Sequence, residues 1–182
     1  MRADASRNEA RVLDAGRRLV ERHGALAVTI AGVAEEAGVG KATVIRRFGD
    51  KAGLIAALLG DQERRLQDRI LRGRPPLGPG APPLDRIDAF LDALARLYVR
   101  ELDLVYASET AKPGARYGIG AHHAWRQHLA LLVREARPDL DADLVAHVLL
   151  APLAAESLAA LPRPLALVPM LRACARGMLC SG

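Results

Sequence analysis

An all-α fold is what this sequence predicts, and three observations carry the expectation. Ala and Leu dominate the apolar content while aromatic residues make up only 3%, a combination that favours packed helices over sheets. Apolar residues recur at helical spacing in window after window. The windows are separated by Gly, by Pro–Gly clusters or by good capping residues. With 182 residues, 51% hydrophobic and 26% charged, the chain can bury a sizeable core and lacks the composition of a disordered segment.

The elements follow in order. From Asn8 to His23, Val12, Ala15, Gly16, Leu19 and Val20 recur at helical spacing; Ser6 is placed to cap this helix and Gly24 to end it. Thr29 is the natural N-cap of a two-turn helix whose inner face is Ile30, Val33, Ala34 and Ala37, and Gly38 stops it. The stretch "KATVIRRF" makes a further short helix with Val44 and Phe48 pointing inward, four residues apart. Gly49 breaks it, and Asp50 caps a long helix over residues 51–72 that is apolar in its first half and polar in "DQERRLQDRILRGR".

The Pro/Gly-rich run at 75–83 reads as a semi-rigid linker. Beyond it, helices are expected over Asp85–Ser108, Ala121–Ala136, Asp141–Leu161 and Leu165–Leu179, with "KPGARYGIG" as a break and Pro152 and Pro169 as kinks. The last two are apolar nearly all round, so they must be buried on more than one side. In so small a chain, the simplest burial is against a second copy.

Charge divides the chain. Residues 1–75 hold 15 Lys/Arg against 10 Asp/Glu, a net of +5, whereas residues 76–182 hold 11 of each. Five of the six aromatics (Phe90, Tyr98, Tyr106, Tyr117 and Trp125) lie in the neutral part. One end is electrostatic; the other is able to enclose something apolar. Cys174 and Cys180 are six apart, which fits neither a redox pair nor a zinc knuckle. With a polar start and no apolar run approaching the ~20 residues of a membrane span, a reduced, cytoplasmic chain without a membrane partner is expected.

The stretch "AGVGKATVIRRFGDK" (37–51) concentrates four cationic side chains, Lys41, Arg46, Arg47 and Lys51, beside a Gly-x-Gly-Lys string. It is not a phosphate-cradling nucleotide loop: Glu35 stands where the first Gly is needed, Ala42 where Ser or Thr is needed, and a helix precedes it in place of a strand. Gly118-Ile-Gly120 is a lone loop signal. Small Ala34, turn-forming Gly38 and inward Val39 and Val44 are instead what two short crossed helices require. The second would present Lys41, Ala42, Thr43, Ile45, Arg46 and Arg47 outward. The alternative is a solvated cationic face on an ordinary helix.

Residues 29–59, "TIAGVAEEAGVGKATVIRRFGDKAGLIAALL", resemble the DNA-binding region of the TetR family of bacterial transcriptional regulators. The matching positions are Thr29, Ile30, Ala37, Gly38, Val39, Thr43, Val44, Phe48, Lys51 and Leu54, and the resemblance spans roughly residues 8–59. It implies that Lys41, Ala42, Thr43 and Arg46 face bases while Thr29, Arg47 and Lys51 contact phosphates. Thr29 as a helix cap is compatible with that role. The sequence departs from the family pattern at three places. Ile45 replaces a customary Tyr, Arg47 a common His, and Gly40 a frequent Ser or Thr, leaving the recognition helix without a side-chain cap.

For the C-terminal part, the resemblance implies an inducer pocket, and Tyr98, Tyr106, Glu109, Tyr117, His122, Trp125 and Arg126 are the candidates to line it. Their alternative is as core and surface residues of a helical bundle. His122, His123 and His128 have the wrong spacing for a helical metal site, and no metal or cofactor is expected.

The sequence thus leads us to expect a helix-turn-helix DNA-binding head (1–50) of three helices and a helical regulatory and dimerisation domain (51–182) interrupted by the linker at 75–83. The function implied by the resemblance is that of a ligand-released repressor, acting as a homodimer on a pseudo-palindromic duplex operator, and not an enzyme. A DNA-binding regulator without a small-molecule ligand, and a helical enzyme using His122, His123 or Glu109, are the competing readings.

Overall fold

The computed structural model describes residues 2–180, and all regular structure among them is helical. The helices are α1 (Arg2–His23), α2 (Ile30–Ala37), α3 (Lys41–Phe48), α4 (Lys51–Arg72), α5 (Pro83–Arg100), α6 (Leu102–Glu109), α7 (Ala115–Gly118), α8 (Gly120–Ala136), α9 (Ala142–Leu150), α10 (Ala155–Ala160) and α11 (Leu167–Cys180). They form two compact units. The first comprises residues 1–61 and 103–113, the second 62–102 and 114–182.

In the first unit, α1 packs on α2 and α2 on α3, around Val12, Ala15, Val33, Ala34, Val44, Leu54 and Leu58, all buried. The boundaries follow from local chemistry. The Thr29 hydroxyl accepts from the Gly32 N–H at 3.1 Å, opening α2. Gly38 ends it at φ 63°, ψ 40°, in the left-handed region that glycine enters without penalty. There the Val39 N–H reaches back to Ala34 O at 2.9 Å and the Gly38 N–H to Glu35 O at 3.0 Å, a Schellman closure. Asp50 caps α4 by accepting from the Gly53 N–H at 2.8 Å. As its sequence requires, Gly40 offers α3 no side-chain cap. Ser6 lies inside α1, which begins at Arg2, and so does not start it.

In the second unit, α8 packs against α9, and α5 against α8 and α11. Phe90, Leu94, Trp125, Leu129, Leu132, Leu149 and Leu150 are fully buried. Three expectations are corrected here. The helix expected over Asp85–Ser108 is two helices, starting at Pro83 and broken at Glu101, where the chain passes from one unit to the other. The expected break at 112–120 contains the single turn α7. The span 141–161 is not one kinked helix, because Pro152 cannot donate to the helical ladder and a 3-10 turn at 151–153 separates α9 from α10. Residues 142–160 together have the length and apolar composition of a membrane span, but this break interrupts them, so no single helix among them is that long. Pro169 sits in the first turn of α11, where a missing N–H costs nothing.

The Pro/Gly-rich run at 75–83 is a set of tight turns, not an extended spacer, with Leu77 and Gly78 buried. A Cβ on Gly78 would lie 1.9 Å from Gly73 O, so only glycine permits this approach.

Candidate nucleic-acid interface

Helix α3 is anchored by one fully buried side chain, Val44, and by half-buried Phe48. A helix of eight residues held on one side necessarily turns the rest outward. Lys41, Ala42, Ile45, Arg46 and Arg47 are exposed and Thr43 is half-buried. The cationic residues of this region then fall into two kinds. Arg47 forms an ion pair with Glu9 of α1, and Lys51 Nζ donates to Leu26 O at 2.6 Å. Lys41 and Arg46 make no hydrogen bond or ion pair among the described residues. Arg46 also lines a shallow concavity of about 290 Å³ with Asn8, Glu9, Thr43 and Arg47.

The residues that hold this surface in place are not singled out by any pattern in sequence spacing. Arg11 Nη2 donates to Ala37 O at 2.7 Å, at the C-terminus of α2, where a cation complements the helix dipole. Glu36 accepts from Arg18 Nε at 3.0 Å and pairs with Arg22 Nη2 at 2.7 Å. The hydrogen bonds from Arg22 and Arg18 hold its carboxyl below the usual range. The signal was present as arginines at 11, 18 and 22, between the apolar positions of α1. Their partners are remote in sequence and left no local trace.

Residues 12–58 match the family model for bacterial regulatory proteins of the tetR family. The head is a TetR-family domain. The whole chain has the fold of such regulators. It superposes on a TetR/AcrR-family transcriptional regulator from Thermobifida fusca with a TM-score of 0.67 at 18% identity, covering 93% of this chain and 96% of that one. Thermus thermophilus FadR, a TetR-family repressor solved with lauroyl-CoA, gives 0.65 at 19% identity with 95% and 93% covered. A transcriptional regulator from Saccharomonospora viridis, solved with choline, gives 0.64 at 23% identity with 95% of each chain covered. No curated protein sequence matches the chain. Thr29, Lys41, Ala42, Thr43, Arg46, Arg47 and Lys51 all lie within the matched TetR segment.

The seven residues expected to line an inducer pocket occupy several environments. Tyr106 and Glu109 belong to the first unit and are half-buried on α6. In the second unit Tyr98 is buried on α5. Tyr117 is exposed, stacked on His147 at 5.8 Å and edge-on to His122 at 5.5 Å. His122 is buried and its Nδ1 lacks a partner. Burial, then the charge of Arg116, lowers its pKa to about 4, so the ring is neutral near pH 7. Arg126 pairs with Asp143 at 3.2 Å. Trp125 lines an apolar groove of about 370 Å³ with Ile70, Leu71, His128 and Leu131.

No motif or spacing in the sequence singles out His147 or Arg116. Buried Arg116 donates to Leu150 O at 2.8 Å and Leu153 O at 3.3 Å. It thereby satisfies carbonyls left open where Pro152 interrupts the helix.

Proposed function

We propose that this TetR-type chain is a sequence-specific DNA-binding transcriptional regulator that acts as a homodimer on a pseudo-palindromic operator and is released by a small organic ligand. The observation that carries the reading is the outward face of α3, where Lys41 and Arg46 extend from a helix anchored by Val44 with no partner among the described residues. Arg46 reads a base, since its guanidinium fork can meet guanine with paired hydrogen bonds. Lys41, Ala42 and Thr43 complete the base-facing edge, and Thr29, Arg47 and Lys51 address phosphates. Two such heads in a dimer present two recognition helices to two half-sites.

The apolar faces of the last two helical spans, 141–161 (α9 with α10) and 165–179 (chiefly α11), pair with their mates in the dimer as a four-helix bundle, α9 and α10 together counting as one arm. The ligand pocket draws on Tyr98, Tyr106, Glu109, Tyr117, His122, Trp125 and Arg126. The ligand favours one of two shapes of the regulatory part, and α4, which runs from residues of one unit into the other, carries the difference to the head. The lauroyl-CoA and choline complexes of the similar regulators support a small-molecule effector without naming this one. Such a regulator works in the cytoplasm, on DNA.

Selection of bound duplexes from a random pool tests the reading. Wild type is expected to enrich a pseudo-palindrome, with affinity falling steeply as salt rises. Arg46→Ala is expected to change which base is preferred in each half-site, at about 1–3 kcal/mol of discrimination. Lys51→Ala is expected to weaken all sequences alike. An unchanged preference in Arg46→Ala would remove Arg46 from the base-reading role.

A further inference from the structure

The second half of α4, from Gln62 to Arg72, forms one wall of a groove of about 540 Å³ in the second unit, and none of its side chains is used in the reading above. The opposite wall is α5, and the turn at 74–77 closes one end. Five guanidiniums line this groove: Arg65 and Arg69 from α4, Arg74 from the turn, and Arg96 and Arg100 from α5. One carboxylate, Asp92, lines it with them.

The arrangement works against the stability of its own helices. Arg65 and Arg69 are spaced i, i+4, as are Arg96 and Arg100, so like charges face each other along each helix. Some of this charge is already oriented. Asp92 accepts from Arg96 Nε at 2.8 Å and Nη2 at 3.0 Å. Gln62 Oε1 accepts from Arg100 Nη2 at 3.2 Å, and Glu101 Oε1 from its Nε at 3.1 Å. Arg69 and Arg74 are exposed and form no ion pair among the described residues. Arg69 and Arg74 therefore give the groove positive charge with no carboxylate of their own among the described residues.

Beneath the charges the groove is apolar, with Leu66, Leu77, Ala89, Ala93 and Leu97 as its floor. Its volume lies within the roughly 300–1,000 Å³ usual for small-molecule pockets. Gly78 allows Leu77 and Arg74 to stand at its end, because any side chain there would strike Gly73 O.

We propose that this groove binds a phosphorylated organic anion with an apolar body, at a site separate from Tyr117, His122 and Trp125. Arginine forks meet phosphate oxygens in paired, charge-assisted hydrogen bonds, while the leucine and alanine floor takes the apolar part. A nucleic-acid backbone would satisfy the arginines but leave that concave floor uncovered.

Calorimetric titration of the full chain with octyl phosphate, octanol and inorganic phosphate at low salt tests the assignment. Octyl phosphate is expected to bind once per chain, inorganic phosphate at least tenfold more weakly, and octanol not at all. The exposed pair Arg69→Ala/Arg74→Ala is expected to weaken octyl phosphate at least tenfold with an unchanged melting curve, while Tyr117→Ala leaves it unaffected. The lysine pair, Arg69→Lys/Arg74→Lys, should retain part of the affinity. Absence of saturable octyl phosphate binding, or equal binding by the alanine pair, overturns the proposal. So does an equal loss of random-sequence duplex binding in the alanine pair, which would make the groove a nucleic-acid contact.

Discussion

The head and the second unit expose opposite kinds of surface. In the head, the outer side of α3 is cationic, and its large exposed apolar residues are Leu26 and Ile45. In the second unit, Leu144 and Val148 of α9, Leu161, Leu165, and Met170 of α11 are all exposed. A solvated cationic face costs a folded chain little, and it gains from an anionic partner by releasing counterions. Exposed apolar side chains cost free energy until something apolar covers them. The first surface suits a partner that comes and goes with salt; the second suits one that stays. The two faces thus match the DNA contact and the dimer contact we propose.

The strongest way to break this contrast is to charge the apolar face. Leu144→Asp with Val148→Asp is expected to convert a dimer to a monomer in sedimentation velocity at micromolar concentration. Each covered side chain is worth about 1.5–3 kcal/mol, counted twice by symmetry. Operator affinity should fall with it by more than a hundredfold. A double variant that stays dimeric would show that α9 does not form the interface.

Acid should separate the units next. His128 is pressed against Phe90 at 5.1 Å, and burial, then the charge of Arg86, lowers its pKa to about 4. His122 is held equally low. The folded chain keeps both rings neutral, so the unfolded chain takes up protons first. Stability therefore falls as pH drops from 6.5 towards 4, by about 1–2 kcal/mol per histidine once solvent screening is allowed for. Thermal melts of His128→Gln across this window should show a shallower loss than wild type. An identical slope would mean that His128 is not held neutral by the fold.

The smallest effect concerns the head alone. Thr29→Ala removes the cap of α2 and is expected to cost about 1 kcal/mol in denaturant unfolding. Thr29→Ser keeps the hydroxyl and should restore both stability and DNA affinity. If Thr29→Ala lowered DNA affinity with no loss of stability, the hydroxyl would serve the phosphate contact alone.

How much was legible in the sequence differs between the units for one reason, the range of the deciding interactions. Thr29, Gly38 and Asp50 act on backbone groups within five residues, so the limits of α2, α3 and the start of α4 could be read directly. The outward residues of α3 followed once Val44 was taken as the inward anchor. The ion pair of Arg47 with Glu9 and the bond from Lys51 to Leu26 O connect residues 38 and 25 apart, and no spacing reveals them. In the second unit, the break at Glu101 carries no Pro or Gly and coincides with the passage between units. The break at Pro152 was visible as a proline, but its depth depended on Arg116 arriving to satisfy the freed carbonyls of Leu150 and Leu153.

Amino-acid order alone determined an all-helical chain, a basic helix-turn-helix head with its caps and turn, and a neutral, apolar remainder. These depend on side-chain period, capping and charge, which act over a few residues. Tertiary structure decided which cations are already engaged and which extend free, where the apolar helices break, and that five arginines from α4, a turn and α5 line one groove. Those outcomes depend on which distant groups meet, and each buried polar group must find its partner there or remain unsatisfied.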